Sequence, residues 1–340
     1  MDKELFSEIK DEEFKYPLYA NALEKEGLLG YYKESKYIAN SITITARGNI
    51  GHSIVRKSDF NAIGRLIILN SKKELNNDFF SEYINSNLKF YIESTGVPQL
   101  TAPSLKINKV KYPNLDEQNK ISNFILAINK KIELLEKKLV LYQKFNESMK
   151  EELFTNFEPY TKLRLNKFLK ESKIKSKDNI NRRLTVKLNL KGITKREVKS
   201  VEKEGATTQY LRKEGQFIYG KQNLHKGAFG IIPKELDNYL SSSDIPSFDF
   251  IEDTVNPMWF YFYFSRKSFY IKLERFSIGT GSKRISPDEF LNIQISIPEL
   301  TIQNKQAEFL NNLNKKENVL KNEISSMKIY KKYLLQKMFV

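Results

Sequence analysis

The sequence predicts an α+β protein, with two mixed α/β domains separated by two long helices packed as an antiparallel coiled coil. Three observations predict it. At 340 residues the chain exceeds one ordinary core, since domains usually hold about 100–200 residues. A long stretch of the sequence occurs twice. Each copy carries apolar residues at the spacing of a helix seam.

The repeat sets the layout. Residues Thr95-Gly96 to Phe154 lie without a gap on Thr280-Gly281 to Phe339, at a constant offset of 185. Pro113 falls on Pro298, Leu115 on Leu300, Gln118-Asn119-Lys120 on Gln303-Asn304-Lys305, and Phe124 on Phe309. Asn129-Lys130-Lys131 then meets Asn314-Lys315-Lys316, Leu135 meets Leu320, and Phe154 meets Phe339. Register held over so long a stretch marks a duplication.

Within the first copy, Ile121, Ile125, Ile128, Ile132, Leu135, Leu139 and Tyr142 alternate steps of four and three, and Phe145, Met149 and Leu153 continue the stripe. This is a coiled-coil seam, narrower than the apolar face of a globular helix. The second copy offers Leu310, Leu313, Leu320, Ile324, Met327, Leu334 and Met338, with Glu317 interrupting an apolar position. Each helix is expected to start just after a proline turn, at Tyr112-Pro113-Asn114-Leu115 and Ile297-Pro298-Glu299-Leu300, where proline costs little. About 38 residues at about 1.5 Å each make a rod of about 57 Å, a spacer's length. The stripe alone fits a homodimer interface or plain core packing as well. Two copies flanking a domain can pair within one chain, antiparallel, and hold the domains at opposite ends.

Outside the repeats, residues 1–94 and roughly 158–279 resemble each other only faintly. Ser41–Ala46 alternates like a strand before the turn Arg47-Gly48-Asn49-Ile50-Gly51, Arg65–Leu69 is a short buried-strand candidate, and Gln216–Gly220 precedes a turn-rich stretch through Gly227 and Gly230. The two strand–turn segments are expected to correspond. Their loops offer Arg47, Asn49 and His52, and Lys221, Gln222, Asn223, His225 and Lys226, side chains that match base edges and phosphates. A solvated surface hairpin would carry the same residue types.

Composition narrows the functions. Net charge is +16, so the field attracts polyanions, nucleic acid first and a membrane surface second. No apolar run approaches the roughly 20 residues of a membrane helix, and Met1-Asp2-Lys3-Glu4 lacks signal-peptide form, so a soluble cytoplasmic protein is expected. The absence of cysteine and the presence of only two histidines, His52 and His225, exclude thiolate metal sites and disulfides and nearly exclude an imidazole cage. Residues 160–204 hold fifteen Lys/Arg against five Asp/Glu. Leu184, Val186, Leu188 and Leu190 alternate within that stretch, which favours a folded basic face over a flexible linker.

Two fragments mimic catalysis. Asn256-Pro257-Met258-Trp259 is close to an adenine-gripping Asn/Asp-Pro-Pro-aromatic loop but lacks the second proline, and Trp259–Phe264 reads better as the buried face of a helix or strand. Phe276–Gly281 is close to a cofactor loop, yet its Thr280-Gly281 recurs at Thr95-Gly96 without the glycines. No Gly-x-x-x-x-Gly-Lys-Ser/Thr occurs. No catalytic or metal residue is assigned.

The strings Gly279–Ser286, Phe290–Leu300 and Gln303, with Thr95–Leu100 and Tyr112–Gln118 in the first copy, resemble the end of a target-recognition domain in the specificity (S) subunit of type I restriction-modification enzymes, where it runs into a helix through Pro-x-Leu-x-x-Gln. Tyr16-Pro17-Leu18-Tyr19, Gly30-Tyr31-Tyr32 and Ala46–Gly51 resemble first recognition domains. The resemblance implies a first target-recognition domain at 1–105, a first spacer helix at 106–157, a second recognition domain at 158–290 and a second spacer helix at 291–340. It implies a non-catalytic subunit that reads a bipartite target in double-stranded DNA. Two adenine-methyltransferase subunits would dock on it, with or without restriction motor-nuclease subunits. No cofactor is expected in this chain; S-adenosylmethionine is expected on the methyltransferase.

DNA contacts are assigned to Arg47, Asn49, His52, Lys221, Gln222, Asn223, His225, Lys226, Lys283 and Arg284. Spacer packing is assigned to Ile121, Ile125, Ile128, Ile132, Leu135, Leu139, Leu310, Leu313, Leu320, Ile324 and Met327. One departure stands out. The stretch from Met1 to Thr95 is shorter than its counterpart from Lys162 to Thr280, and the missing part falls at the start of the first recognition domain. A truncated or alternative-start form, or a compact domain, would have that shape. The rival from a different class is a non-catalytic coiled-coil scaffold or interaction protein with non-specific nucleic-acid affinity.

Overall fold

The computed structural model describes residues 5–90, 98–155, 160–197, 204–205, 207–279 and 283–339. The ends of the repeat at Thr95-Gly96 and Thr280-Gly281, and the basic residues Lys199 and Lys203, lie outside them. The chain divides into two units, Met1–Lys137 with Lys321–Val340, and Lys138–Leu320. Each holds one mixed α/β body and a part of each long helix.

In unit 1, β1 (Phe6–Ser7), β2 (Tyr16–Tyr19), β3 (Leu28–Tyr32), β4 (Ile42–Thr45), β5 (Ser53–Val55), β6 (Asn61–Ala62) and β7 (Leu66–Leu69) precede α1 (Asn77–Asn87), α2 (Ala102–Lys106) and the long α3 (Leu115–Leu153). Two sheets form, in the orders β1-β3-β2-β6 and β5-β4-β7. β4 is the central strand of the second and is buried throughout. Its apolar Ile42, Ile44 and the following Ala46 pack with Ile84, Leu100 and Leu105. The predicted strand at Arg65–Leu69 is β7, half-buried because it lies at the sheet edge. Capping starts the helices. The Asn76 side chain accepts from the Phe79 N–H at 2.9 Å, and Thr101 and Ser104 form a reciprocal capping box at α2.

Unit 2 is larger. Its strands are β8 (Thr161–Arg164), β9 (Leu169–Ser172), β10 (Lys175–Ser176), β11 (Leu184–Val186), β12 (Ile193–Lys195), β13 (Gln209–Arg212), β14 (Phe217–Tyr219), β15 (Phe229–Ile231), β16 (Tyr239–Ser242) and β17 (Ser247–Phe250). There follow α4 (Pro257–Phe264), α5 (Lys267–Tyr270), α6 (Pro287–Leu291), β18 (Gln294–Ile297) and the long α7 (Leu300–Met338). The main sheet has the order β15-β14-β17-β9, and β18 pairs with β8. Phe217, Phe248, Phe260, Phe264 and Phe290 build an aromatic core around β14. The predicted correspondence of the two strand–turn segments holds. β4 and β14 are each flanked on both sides by antiparallel strands. Just beyond them, the Ala46 carbonyl accepts from Leu100 N–H at 2.9 Å and the Lys221 carbonyl from Ile285 N–H at 3.0 Å. The two donors are equivalent positions of the repeat.

The long helices are 39 residues each and begin and end at the repeat offset. They run antiparallel. In unit 1, Ile121 and Ile125 share a cluster with Leu335 and Phe339, and Glu136 pairs with Lys328 at 2.7 Å. In unit 2, Gln143 and Asn146 each donate to Glu317 at 3.0 Å, and the Leu153 carbonyl accepts from Gln306 at 3.1 Å. Of the predicted seam residues, Ile121, Ile125, Ile128, Ile132, Leu310, Leu313, Leu320 and Ile324 are buried, and Leu135, Leu139 and Met327 are half-buried.

Two expectations from the stripe need correction. Phe145 is exposed and Asn146 takes the inward place, because a helix of about 3.6 residues per turn drifts off a 3.5-residue pattern. For the same reason Leu335, rather than Leu334, is the buried residue near the end of α7. The strand expected through Leu190 ends at Val186. Asn189 and Leu190 have φ of 57° and 56° and turn the chain toward the loop after β14, where their N–H groups donate to Lys226 and Gly227 carbonyls, both at 2.9 Å.

Candidate nucleic-acid interface

The candidate loop of unit 1 follows β4. Asn21 holds it from below, accepting from Ala46 N–H at 2.7 Å and donating to the Arg47 carbonyl at 2.7 Å. Thr45 Oγ1 donates to the Asn49 carbonyl and accepts from His52 N–H at 2.9 Å. Gly51 is required at the bend: its φ is +89°, and a Cβ there would meet the Phe90 ring at 2.4 Å. With the backbone fixed, Asn49 and His52 are exposed and Arg47 is half-buried. Packing and the Arg56 cation hold the His52 pKa below the usual imidazole value.

In unit 2 the loop after β14 is a 3-10 turn over Leu224–Lys226, closed by Gly227 at φ 72°. It is tied to two other segments. Lys221 N–H donates to the Asp244 carbonyl at 3.0 Å, and the Asp244 carboxylate accepts from Arg284 at 3.0 Å. Lys283 faces Glu274 at 3.6 Å. His225 feels Glu274, Lys226 and Lys283, but burial is the largest influence and lowers its pKa. The fold therefore gathers Lys221, Gln222, Asn223, His225, Lys226, Lys283 and Arg284 around one loop, which the turn at Lys187–Lys191 adjoins through its hydrogen bonds to Lys226 and Gly227.

Two polar atoms at predicted contact positions, Arg47 Nε and His225 Nδ1, are buried without a hydrogen-bond partner among the described residues. Orphaned groups of this kind cost stability unless another molecule satisfies them.

The basic stretch is folded through Arg196, but its residues do not act alike. Arg183 is buried against Asp178 and holds the strand start in place, whereas Lys187, Lys191 and Lys195 are exposed. A polar pair that the sequence did not single out, Arg65 and Gln99, lies beside the first loop, where the Arg65 carbonyl accepts from Ala46 N–H at 3.0 Å. Arg65 Nη1 donates to Gln99 Oε1. Gln99 falls on Arg284 in the repeat, so the offset was a signal that pointed to it. The Asn256-Pro257 fragment is a helix start. Asn256 accepts from Trp259 N–H at 2.9 Å and Pro257 occupies the first turn.

The junctions between bodies and helices repeat atom for atom. Gln118 Nε2 donates to the Pro113 carbonyl at 2.8 Å while its Oε1 accepts from Asn76 N–H at 3.1 Å. Gln303 does the same with Pro298 at 2.9 Å and Asn256 at 2.9 Å. Asn76 and Asn256 further donate to Asn119 and Asn304, both at 2.7 Å. Phe339 packs edge-on to Phe79 and Tyr83 in unit 1, as Phe154 does to Trp259 and Tyr263 in unit 2. Among the described residues no helix is long and apolar enough to cross a membrane, and no cluster of three His, Cys, Asp or Glu offers a metal site.

The chain resembles known proteins over most of its length. The sequence profile of the type I restriction modification DNA specificity domain matches residues 2–141 and 162–326. Two Mycoplasma pneumoniae proteins named as putative type I specificity subunits are 30% identical over 151 residues and 26% identical over 138 residues. These matches cover 41% and 40% of this chain and 45% and 38% of the relatives, so the chain spans less than half of each. The fold is shared with the crystal structure of the S subunit of a type I system from M. genitalium, at a TM-score of 0.61 and 16% identity, covering 100% of this chain and 91% of that one. A chain from a structural study of the assembly and conformational transition of a type I system aligns at 0.57 and 11% identity, covering 95% and 91%. With two matched segments, each joined to one of two equivalent helices, the protein belongs to the type I restriction-modification DNA specificity domain family.

Proposed function

We propose that this chain is the specificity subunit of a type I restriction-modification system. It reads a bipartite DNA target and itself carries no catalytic residue. One body, within residues 1–105, reads one half of the target, and the other, within 158–290, reads the other half. The spacer segments 106–157 and 291–340 set the gap between them. The observation that carries this reading is the duplicated junction: two dissimilar bodies are locked by the same Asn–Gln–Pro hydrogen bonds to the starts of two equal helices. Helices of 39 residues measure about 58 Å, long enough to separate two reading sites on a duplex.

The contact residues in this reading are Arg47, Asn49 and His52 in one body and Lys221, Gln222, Asn223, His225, Lys226, Lys283 and Arg284 in the other. The net charge of +16 supplies affinity by counterion release, and the amide and imidazole groups supply discrimination. The partners are two adenine-methyltransferase subunits that bring S-adenosylmethionine, with or without restriction subunits, in the cytoplasm. Paired exposed apolar residues support two equivalent docking faces. Phe124 and Phe309, Leu134 and Val319, and Phe145 and Tyr330 are equivalent positions of the repeat, and all six are open to solvent.

Exchanging residues 158–279 for the same region of another family member tests the assignment. Bound by its methyltransferase, the chimera should keep one half of its recognised sequence and change the other; a change in both halves, or none, contradicts it. Lys226→Ala should lower the slope of log affinity against log salt by about 1, as a phosphate contact does. A scaffold would show no steep salt dependence.

A further inference from the structure

Just past β4 and β14, each unit grips one residue by two backbone hydrogen bonds. Ala46 N–H donates to the Arg65 carbonyl at 3.0 Å, and the Ala46 carbonyl accepts from Leu100 N–H at 2.9 Å. Lys221 N–H donates to the Asp244 carbonyl and the Lys221 carbonyl accepts from Ile285 N–H, both at 3.0 Å. The ladders fix the match. Ile42 faces Leu69 and Phe217 faces Phe248; four residues further on, still in register, Ala46 meets Arg65 and Lys221 meets Asp244. Arg65 and Asp244 are therefore equivalent places, as Gln99 and Arg284 are in the repeat.

The side chains at these two places pair with each other in both units. Arg65 Nη1 donates to Gln99 Oε1, and Arg284 Nη1 donates to the Asp244 carboxylate at 3.0 Å. The guanidinium has changed sides. In unit 1 it rises from the residue before β7, and in unit 2 from the repeated segment. Neither core needs its pair. Arg65 is exposed, the Arg284 and Asp244 side chains are 46% and 54% exposed, and surface pairs add little stability. A polar pair that recurs at one backbone station with its members exchanged, beside the loops Arg47–Gly51 and Lys221–Lys226, fits reading better than folding.

We propose, resting on the DNA-reading assignment above, that Arg65 is a specificity-determining residue of the first body, that it reads a guanine, and that Gln99 positions it. An arginine fork carries five N–H donors, and among the described residues the one hydrogen bond of the Arg65 side chain is to Gln99. The donors left over match guanine O6 and N7 in the major groove, the commonest specific contact. By holding one edge of the fork, Gln99 fixes the direction of the other and spares part of the ordering cost on binding. Arg284, held by Asp244, is the counterpart in unit 2. Because the two forks rise from different segments, one backbone station can serve different bases in the two bodies.

A panel of single base substitutions in the duplex that the wild-type chain selects, measured with its methyltransferase bound, tests the proposal. Arg65→Ala should cut discrimination about tenfold at one guanine of one block, and Arg284→Ala should act only in the other block. Gln99→Ala should lose about threefold at the same guanine as Arg65→Ala, and Gln99→Glu, which still accepts from Arg65, should restore it. Unfolding midpoints of Arg65→Ala and Gln99→Ala should stay at the wild-type value. An equal loss over all sequences, with the salt slope smaller by about 1, would make Arg65 a phosphate contact and overturn the proposal. Unchanged preference at every position, or a fall in the unfolding midpoint, would overturn it too and leave the DNA-reading assignment standing. A wild-type complex that selects no sequence would remove that assignment and the proposal together.

Discussion

Asn76 and Asn256 make the same three hydrogen bonds in two units whose cores have little else in common. In unit 2 the body behind that asparagine is a dense aromatic core, with Phe217 and Phe290 rings stacked 5.5 Å apart. In unit 1 the equivalent places hold Ile42 and Leu105, which among the described residues line an apolar groove of about 320 Å³. The difference separates two kinds of sequence constraint. The joint must deliver defined donors and acceptors to fixed helix positions, so its residues recur. The body need only bury enough apolar surface to hold a loop, and it does so with different side chains.

The largest effect that would sharpen this comparison is at the aromatic under each joint. Trp259 is fully buried, and its Nε1–H donates to Gln306 at 2.7 Å. Trp259→Ala should destabilise unit 2 by about 3–5 kcal/mol. Phe79→Ala, 1% exposed in a smaller core, should cost unit 1 toward the lower end of that range. Denaturation followed by hydrogen exchange should show each loss confined to its own unit, and a loss spread equally over both would break the comparison.

The next effect lies between the helices. Glu317, the residue that interrupts the apolar stripe, accepts from Gln143 and Asn146, whereas the equivalent position in unit 1 is the buried Ile132. Glu317→Ala should cost about 1–3 kcal/mol by leaving two amides without their acceptor. Glu317→Leu should cost less, because it leaves the same two amides unpaired but fills the space that alanine leaves empty; chemical denaturation of the two variants checks the order.

The smallest effect is on acidification. His52 and His225 both have pKa values below the usual imidazole value, so the unfolded chain binds more protons as pH falls through about 6.5. Stability should therefore be full above that value and decline modestly below it. In the His52→Gln and His225→Gln double variant the decline should flatten, read from midpoints of unfolding on either side of about pH 6.5.

The helices were legible because period and offset are properties of the sequence itself, and the proline turns at Pro113 and Pro298 mark where they start. What was not legible depends on contacts between distant residues. The acceptor that Asn146 meets once the helix has drifted inward, Glu317, lies far along the chain on the other long helix. The end of β11 is set by Asn189 and Leu190 reaching Lys226 and Gly227. Arg183 reads as one more cation in a basic stretch until its burial against Asp178 is seen. The candidate DNA loops were found from strand–turn pattern and charge, whereas Arg65 and Gln99 come together only through the sheet.

The account rests on duplicated helices that space two different readers along DNA. Selection from a random duplex pool by the chain in complex with its methyltransferase tests it most directly. The account predicts two short specified blocks separated by an unspecified gap of constant length. A single continuous block, or two blocks at variable spacing, would contradict it.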